Sequence, residues 1–201
     1  MERFWRFISA VFHPLFAPLA GTVAYFMVSL KYNPFEVQKA VVLSTTILTL
    51  IIPLLFYLLF RSMGWMKAGA LRDVSERKIP VYIFILLIFI LEYRVIQPAL
   101  IVELYYYFAG ILGTLFIALI LVYLKFKASI HLMGISGFTL FIFGLSIHYE
   151  LNITFALSVL VLCIGLVGSS RLYLKAHTGK ELIAGFFTGA LPQLIAFLWW
   201  L

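Results

Sequence analysis

The sequence predicts an all-α fold: a polytopic transmembrane helical bundle of six to seven spans that carries a site at one membrane face. Of its 201 residues, 64% are apolar and only 11% are charged, and the mean hydropathy is +1.10. Soluble domains are typically about 45–50% apolar and about 25% charged, so this composition excludes an ordinary water-soluble globule and a disordered chain. Runs of about 20 apolar residues match the roughly 30 Å hydrocarbon layer of a bilayer. We therefore expect residues 1–201 to form one integral membrane domain.

Seven apolar segments are separated by short polar connections that hold turn-forming residues. The predicted segments are 7–30, 40–61, 80–97, 101–124, 133–149, 152–170 and 181–201. Pro14 and Pro18 disfavour a regular helix at the start of the first segment, which is expected to span only from about Ala17 onward. If that segment re-enters without crossing, the number of spans is six. The fifth segment, with 17 residues, is short for a full crossing.

Positive charge is concentrated on one predicted membrane face, which we call the charged face. With seven crossings, the N-terminus and the connections at 61–78, 125–133 and 171–181 lie on it. Its twelve cationic residues are Arg3, Arg6, Arg61, Lys67, Arg72, Arg77, Lys78, Lys125, Lys127, Arg171, Lys175 and Lys180. The opposite face has three, namely Lys31, Lys39 and Arg94. The positive-inside rule makes the charged face cytoplasmic, but cations kept for ligand binding weaken that rule, so the orientation stays open.

The net charge of +7 indicates anionic lipid headgroups or a phosphorylated ligand, and not nucleic acid, because the cations lie at the membrane surface. Asp73 is the only Asp, Cys163 is the only Cys, and the seven Glu residues are scattered along the chain. Metal-dependent phosphoryl-transfer sites usually hold their ions with two or more carboxylates. We therefore expect neither a metal ion nor another cofactor.

Two histidines converge with cations on the charged face. His131 follows a pair of lysines, and Arg171 precedes His177 in the next polar connection of that face. His177 and Glu181 are four residues apart, so their side chains meet on one side if the last helix begins near Thr178. A helix N-terminus attracts anions through its free N–H groups and its dipole. The combination suits a phosphate monoester: cations hold its charge, one histidine attacks and the other donates a proton.

The pattern around His177 resembles a signature of the type 2 phosphatidic acid phosphatase superfamily, a group of membrane-bound lipid phosphatases. Its third signature is Ser-Arg-x5-His-x3-Asp. The matching residues here are Ser170, Arg171, His177 and Glu181, with Glu in place of the final Asp. The resemblance covers about residues 61–189, and this third signature is its most specific part.

Two weaker motifs precede it in the order that the superfamily has. Ser129-Ile130-His131 resembles the second signature, Pro-Ser-Gly-His, with Ala128 in place of Pro and Ile130 in place of Gly. Arg77-Lys78-Ile79-Pro80 resembles the end of the first signature, Lys-x6-Arg-Pro. Lys67 or Arg72 would supply the earlier cation of that signature, although the spacing from Lys67 to Arg77 is ten and not seven.

The resemblance implies a metal-independent phosphatase of lipid metabolism. His177 would be the nucleophile and form a phosphohistidine, Glu181 would orient it, and His131 would protonate the leaving alkoxide and then activate water. The implied substrate-binding residues are Arg171, Ser129, Arg77, Lys78 and Arg72. The substrate would be a phospholipid phosphate or a polyprenyl diphosphate, and the partners would be membrane lipids and not nucleic acid, with the oligomeric state left open. The family context places such a hydrolase in a bacterial inner membrane, typically with its site at the outer side.

Other interpretations stay open for several of these residues. A catalytically silent lipid-binding or transport protein could retain the cationic pocket, and the carboxylates Glu92 and Glu103 would matter more in that case. Thr178 and Glu181 have the spacing of a capping box, which alone accounts for Glu181. His13, beside Pro14, lies on the charged face and is expected at the membrane interface, within reach of the site.

Three further expectations concern architecture. Glu92, Arg94 and Glu103 are expected to pair across the hairpin that Gln97 and Pro98 form between the third and fourth segments. His148 is expected simply to end a helix on the opposite face. Gly185 and Gly189 form a Gly-x-x-x-Gly pattern, which predicts close packing of the last helix inside the bundle.

Overall fold

The computed structural model describes residues 1–64 and 74–201 and confirms the all-α prediction. The described residues form helices and their connections, without a β-strand. The helices are α1 (Glu2–Val11), α2 (Ala17–Val28), α3 (Phe35–Thr46), α4 (Ile52–Ser62), α5 (Lys78–Arg94), α6 (Val102–Tyr123), α7 (Ile130–His148), α8 (Thr154–Tyr173) and α9 (Gly179–Ala196). The proposed cations Lys67 and Arg72 lie outside the described residues.

Within the described ranges 1–64 and 74–201, six helical stretches are long and apolar enough to cross a membrane. They are Glu2–Val28, Phe35–Ser62, Val102–Tyr123, Ile130–His148, Thr154–Tyr173 and Gly179–Trp199. Helix α5 is shorter, with 17 residues, which at about 1.5 Å per residue give it a length of about 25 Å. The fifth predicted segment corresponds to α7, which has 19 residues and is the shortest of these six stretches. The third predicted segment, α5, is shorter still, which its apolar length of 18 residues did not indicate. Helix α5 pairs with α6 as an antiparallel hairpin.

The first predicted segment is interrupted, as its prolines indicate. Helix α1 ends at Val11, His13 has an extended backbone (φ −66°, ψ 134°), and a 3₁₀ turn begins at Pro14. The Nδ1 atom of His13 accepts a hydrogen bond from the Leu15 N–H at 3.4 Å, which caps this turn. The regular helix resumes at Ala17. As a result α1 is a separate helix that packs against α8.

Helix α7 lies at the centre of the bundle and contacts α2, α6, α8 and α9. Its contact with α9 depends on the predicted glycine pair. A Cβ atom on Gly185 would lie 2.5 Å from the Ser129 carbonyl oxygen, and one on Gly189 would overlap the Met133 carbonyl oxygen. Ser136 on α7 also donates a hydrogen bond to the Phe186 carbonyl oxygen at 2.9 Å. The close packing predicted for Gly185 and Gly189 is confirmed, and it brings the N-terminus of α7 to that of α9.

A buried carboxylate, Glu103, joins the elements at the opposite end of the bundle, which we call the far end. Its side chain is fully buried. The groups around its oxygens are Lys31 Nζ at 2.6 Å, Tyr149 OH at 2.9 Å, His148 Nε2 at 3.1 Å and Tyr25 OH at 3.2 Å. The expected pairing with Arg94 is wrong, because Arg94 lies over the Tyr93 ring instead. His148 likewise does more than end α7, since it contacts Glu103.

Candidate active site

His177 lies in the short connection between α8 and α9 with its side chain almost fully enclosed. The residue is 8% exposed. Its Nδ1 atom lies 3.1 Å from the Lys127 carbonyl oxygen and 3.2 Å from Oε2 of Glu181. Both neighbours are acceptors, so Nδ1 carries the proton in a hydrogen bond with either of them. The lone pair of the neutral ring is then on Nε2, which is the nitrogen left for nucleophilic attack.

Glu181 contacts His177 and caps α9 at the same time. Its Oε2 atom accepts a hydrogen bond from the Thr178 N–H at 2.8 Å, and Thr178 Oγ1 lies 3.5 Å from the Glu181 N–H. These reciprocal contacts make the capping box that the spacing predicts. The two interpretations of Glu181 are therefore compatible, because one carboxylate oxygen serves both contacts.

Burial is the main cause that lowers the pKa of His177 to about 4, and the positive charges of Arg171 and Arg77 act in the same direction. The negative charge of Glu181 opposes them only in part. The imidazole is consequently neutral at pH 7, with its Nε2 lone pair available. A nucleophile must be in this protonation state to attack phosphorus.

Arg77 connects the start of α5 to the N-terminus of α7. It is buried, and its Nη1 atom donates a hydrogen bond to the Ala128 carbonyl oxygen at 3.0 Å. Burial lowers the pKa of its guanidinium group, which stays charged because arginine does not deprotonate in proteins. Arg77 acts electrostatically on Glu181, Arg171 and His177. Arg77, from the motif that resembles the first signature, therefore acts on residues of the motif that resembles the third signature.

The N-terminus of α7 contributes Ser129 and His131. Ser129 is fully buried, and its backbone N–H donates to the Glu181 carbonyl oxygen at 3.0 Å. Its Oγ atom has no hydrogen-bond partner among the described residues. His131 lies in the first turn of α7, with its Nε2 atom 3.3 Å from Ser9 Oγ and 3.1 Å from the Ser9 carbonyl oxygen.

Arg171, in the last turn of α8, lies at the centre of the charged groups. Its Nη1 atom donates a hydrogen bond to Ser9 Oγ at 2.6 Å. Its Nε atom is buried and has no hydrogen-bond partner in the described part of the chain. Arg171 acts electrostatically on His131, His177 and Arg77. An unpaired guanidinium N–H and the unpaired Ser129 hydroxyl are donors of the kind that bind phosphate oxygens.

These side chains surround the polar end of a cavity of about 1730 Å³. Arg77, Lys127, His131, Arg171 and His177 line that end. Apolar side chains from the 3₁₀ turn and α2, from α4 to α6, and from α7 form the walls beyond it, among them Pro53, Phe56, Phe84, Ile111, Leu115 and Phe138. Pockets for small molecules typically measure about 300–1,000 Å³. A cavity this large, cationic at one end and apolar beyond it, fits an amphiphile with an anionic head.

The structure brings six of the predicted site residues to this cavity end or its immediate border. They are Arg77, Ser129, His131, Arg171, His177 and Glu181. Lys78 is placed elsewhere, since its Nζ atom lies 4.4 Å from the centroid of the Tyr123 ring and the residue does not line the cavity. Arg72 falls outside the described residues. Among the described residues, no group of three or more His, Cys, Asp and Glu side chains could hold a metal ion.

Sequence reasoning missed two residues of this site. Lys127 lines the cavity, and its Nζ atom donates to the Ala176 carbonyl oxygen at 3.2 Å. Ser9 touches both Arg171 and His131, although it is 162 and 122 residues away from them in sequence. No local spacing could have indicated Ser9, because its contacts depend on where α1 packs.

His13, expected at the interface within reach of the site, lines the cavity with its ring centroid 5.4 Å from that of His131.

Comparison with protein-family models, with curated proteins and with solved structures finds no match to this chain.

Proposed function

We propose that this protein is a metal-independent lipid phosphatase that removes the terminal phosphate group from a lipid phosphate or diphosphate through a phosphohistidine intermediate. The observation that carries the proposal is the environment of His177. Its Nδ1 atom faces two acceptors, its pKa is lowered to about 4, and two guanidinium groups lie nearby. A neutral, oriented imidazole beside buried cations is the arrangement that nucleophilic attack on a phosphate anion requires.

In the first chemical step, Nε2 of His177 attacks phosphorus and an N–P bond forms. The bond between phosphorus and the lipid oxygen breaks, and its electron pair goes to that oxygen. A phosphoryl anion bound beside His131 favours the protonated form of its ring. His131 then supplies the proton for this oxygen, so the lipid leaves as an alcohol, or as a monophosphate when the substrate is a diphosphate. Attack in line between positioned groups accounts for most of the barrier reduction in phosphoryl transfer.

In the second step, His131 accepts a proton from water while the water oxygen attacks phosphorus. The N–P bond breaks, its electron pair returns to Nε2, and orthophosphate is released. Glu181 holds the same tautomer throughout and stabilises the positive charge that the His177 ring carries while phosphorylated. His131 thereby regains the proton that it gave to the leaving lipid, and the cycle is complete.

Phosphate oxygens would satisfy donors that the protein leaves unpaired. Arg171 Nε and Ser129 Oγ are both buried without a partner in the described structure. A buried polar group without a hydrogen bond costs about 1–3 kcal/mol, and an anion bound beside Arg171, which lines the cavity, would remove that cost there. Ser129 does not line the cavity and lies directly behind its wall, between the lining residues Ala128 and Ile130. Arg77 and Lys127 add positive charge around the same point. These groups support binding of a phosphoryl group at the polar end of the cavity.

The apolar walls support a lipid as the rest of the substrate. The cavity continues from the charged end along α5, α6 and α7 as far as Tyr107 and Gln193, so an acyl or isoprenoid chain can follow the headgroup into the protein. A phospholipid phosphate and a polyprenyl diphosphate both meet this description. We place the enzyme in bacterial lipid metabolism at the inner membrane, as the resemblance to the type 2 phosphatidic acid phosphatases suggests.

The alternative is a protein that binds lipid phosphates without turnover. Ile130 favours it, because this side chain lines the cavity where the resembled signature has Gly. Transport coupled to the carboxylates is less well supported, since neither Glu92 nor Glu103 lines the cavity in the described part of the chain.

Phosphate release from purified protein in lipid–detergent micelles tests the proposal, with phosphatidic acid and an isoprenoid diphosphate as substrates and with EDTA present throughout. We expect phosphate release by the wild type and only background release by H177A. K180A is the matched control, because Lys180 is exposed in the first turn of α9, and it should release phosphate at the wild-type rate. Rapid quenching should trap an acid-labile phosphoprotein in H131A and none in H177A. Equal background release by the wild type and H177A on both lipids would overturn the phosphatase assignment.

A further inference from the structure

We propose that Ser9 is a positioning residue of this site, which holds the Arg171 guanidinium and the His131 ring in the arrangement that receives the phosphoryl group. The inference rests on the proposed function. Ser9 belongs to α1, outside the three motifs that resemble a known family. It is nevertheless buried, at 9% exposure, and it touches both side chains.

Helix α1 is attached to the bundle so that Ser9 faces the site. One turn before Ser9, the Trp5 carbonyl oxygen accepts a hydrogen bond from Ser170 Oγ at 2.8 Å. Next to Ser9, Ile8 packs in a cluster with Leu132 on α7 and Val167 on α8. A polar contact and an apolar contact therefore fix the position of this helix against the two helices that carry His131 and Arg171.

The contact with Arg171 determines which guanidinium donors remain for a ligand. Ser9 Oγ accepts a hydrogen bond from Nη1 at 2.6 Å, whereas Nε has no partner among the described residues. The guanidinium group is planar with donors in a fixed fork, and Nε lies on the edge away from Nη1. Edges with two parallel N–H groups bind two oxygens of one phosphate. By engaging Nη1, Ser9 leaves the Nε edge for the anion and fixes the plane of the fork.

The contact with His131 offers a partner to either protonation state of the ring. When Nε2 is protonated, it can donate to the Ser9 carbonyl oxygen, which lies 3.1 Å away. When Nε2 is unprotonated, it can accept from the Ser9 hydroxyl, which lies 3.3 Å away. Because Nε2 faces Ser9, the proton that the ring gives to the lipid oxygen and takes back from water is the one on Nδ1. The contact between Nε2 and Ser9 is thus kept in both the charged and the neutral ring. Ser9 can therefore hold the ring in one place while its proton comes and goes.

The opposite role for Ser9 makes a different prediction. If its hydroxyl oxygen occupied the place of a phosphate oxygen, it would compete with the anion for Arg171. Removal of the hydroxyl would then strengthen anion binding. A positioning role predicts weaker binding, because Arg171 and His131 lose the group that orients them.

The test is calorimetric titration of the full-length protein in micelles with inorganic phosphate, which needs no turnover. We expect S9A to bind phosphate about tenfold more weakly, the effect of one hydrogen bond to a charged group. S9T keeps the hydroxyl and should bind within about twofold of the wild type. The ring ¹⁵N resonances of His131 should shift in S9A and return in S9T, which loss of packing alone would not produce. The matched control is S158A, an exposed serine on α8, with unchanged binding.

The following results would contradict the positioning role proposed for Ser9. Unchanged binding by S9A, or tighter binding, rules out a positioning role for Ser9 and leaves the phosphatase proposal standing. Absence of phosphate binding by the wild type removes the proposed function and this inference with it. If S9A does not fold, S9C takes its place, since the thiol is similar in size and a weak acceptor; wild-type affinity in S9C would then also exclude the role.

Discussion

Oε2 of Glu181 lies 3.2 Å from Nδ1 of His177 and, at the same time, accepts a hydrogen bond from the Thr178 N–H at 2.8 Å. One oxygen atom thus fixes the start of α9 and the orientation of the proposed nucleophile. Stability of the helix and chemistry at the ring are therefore coupled through the same carboxylate. Substitutions can separate the two roles, because the contact with the Thr178 N–H and the contact with His177 require different properties of the side chain at position 181.

The first prediction separates capping from orientation. E181Q should keep most of the helix stability, since Gln also serves in a capping box, but should lower the rate of phosphate release by about 10²–10⁴-fold because a neutral amide does not stabilise the charged ring. T178A should do the reverse, with a loss of about 1 kcal/mol in stability and little change in rate. Thermal unfolding and phosphate release, measured on both variants, check this. Wild-type turnover by E181Q would show that Glu181 acts as a cap alone.

The second prediction concerns pH. His177 has a pKa of about 4 in the folded protein, against an ordinary value of 6.5. Because the folded state favours the neutral ring, its contribution to stability is fully present above about pH 6.5 and is lost as the pH falls toward 4. The unfolding temperature of the wild type should therefore fall more steeply over this interval than that of H177Q. Parallel curves for the two proteins between pH 8 and pH 4 would contradict the lowered pKa.

The third prediction concerns the packing of α9 on α7. G189A places a methyl group against the Met133 carbonyl oxygen, so it should destabilise the protein by about 1–3 kcal/mol through overpacking. G168A on α8 is the matched control, because nothing lies within 4 Å of a Cβ atom there, and it should be neutral or slightly stabilising. Unfolding temperatures in the same detergent give the comparison. Equal stability of the two variants would mean that α9 has room to move away from α7.

The fourth prediction concerns Ile130, which lines the cavity at the first position of α7. I130G removes a side chain that limits how closely an anion approaches the helix N-terminus. We expect I130G to raise phosphate affinity and turnover several-fold and I130A to have an intermediate effect. Phosphate titration and phosphate release measure the two quantities. Weaker binding in I130G than in I130A would show that the Ile side chain supports the ligand instead of obstructing it.

The helices were predictable because the length of an apolar run largely sets where a membrane helix begins and ends. The break after α1 was also predictable, since Pro14 cannot continue a helix and its position is explicit in the sequence. The exact ends were less predictable: α7 begins three residues before the predicted segment, at Ile130, and α5 ends three residues before its predicted end, at Arg94. Boundaries of this kind depend on packing at the membrane surface.

The site was predictable where its residues are close in sequence. His177 and Glu181 meet because a helix brings residues four apart onto one side. The partner of Glu103 could not be inferred, because Arg94 is nearer in sequence than Lys31 and only the packing of α2 against the bundle decides between them. The contacts of Ser9 could not be inferred from the sequence either, because they depend on where α1 packs.

The Glu103 cluster at the far end has a consequence for the sidedness of the proposed reaction. No residue of this cluster lines the cavity in the described part of the chain, and the cavity ends near Tyr107, about one helical turn from Glu103. Among the residues that the structure describes, the cavity therefore does not extend to the far end of the bundle. In the proposed reaction the lipid headgroup would enter, and orthophosphate would leave, at the charged end of the cavity. Only the leaflet on that side would then supply substrate. In sealed vesicles with uniformly oriented protein, hydrolysis should stop when that leaflet is exhausted and resume when a scramblase is added.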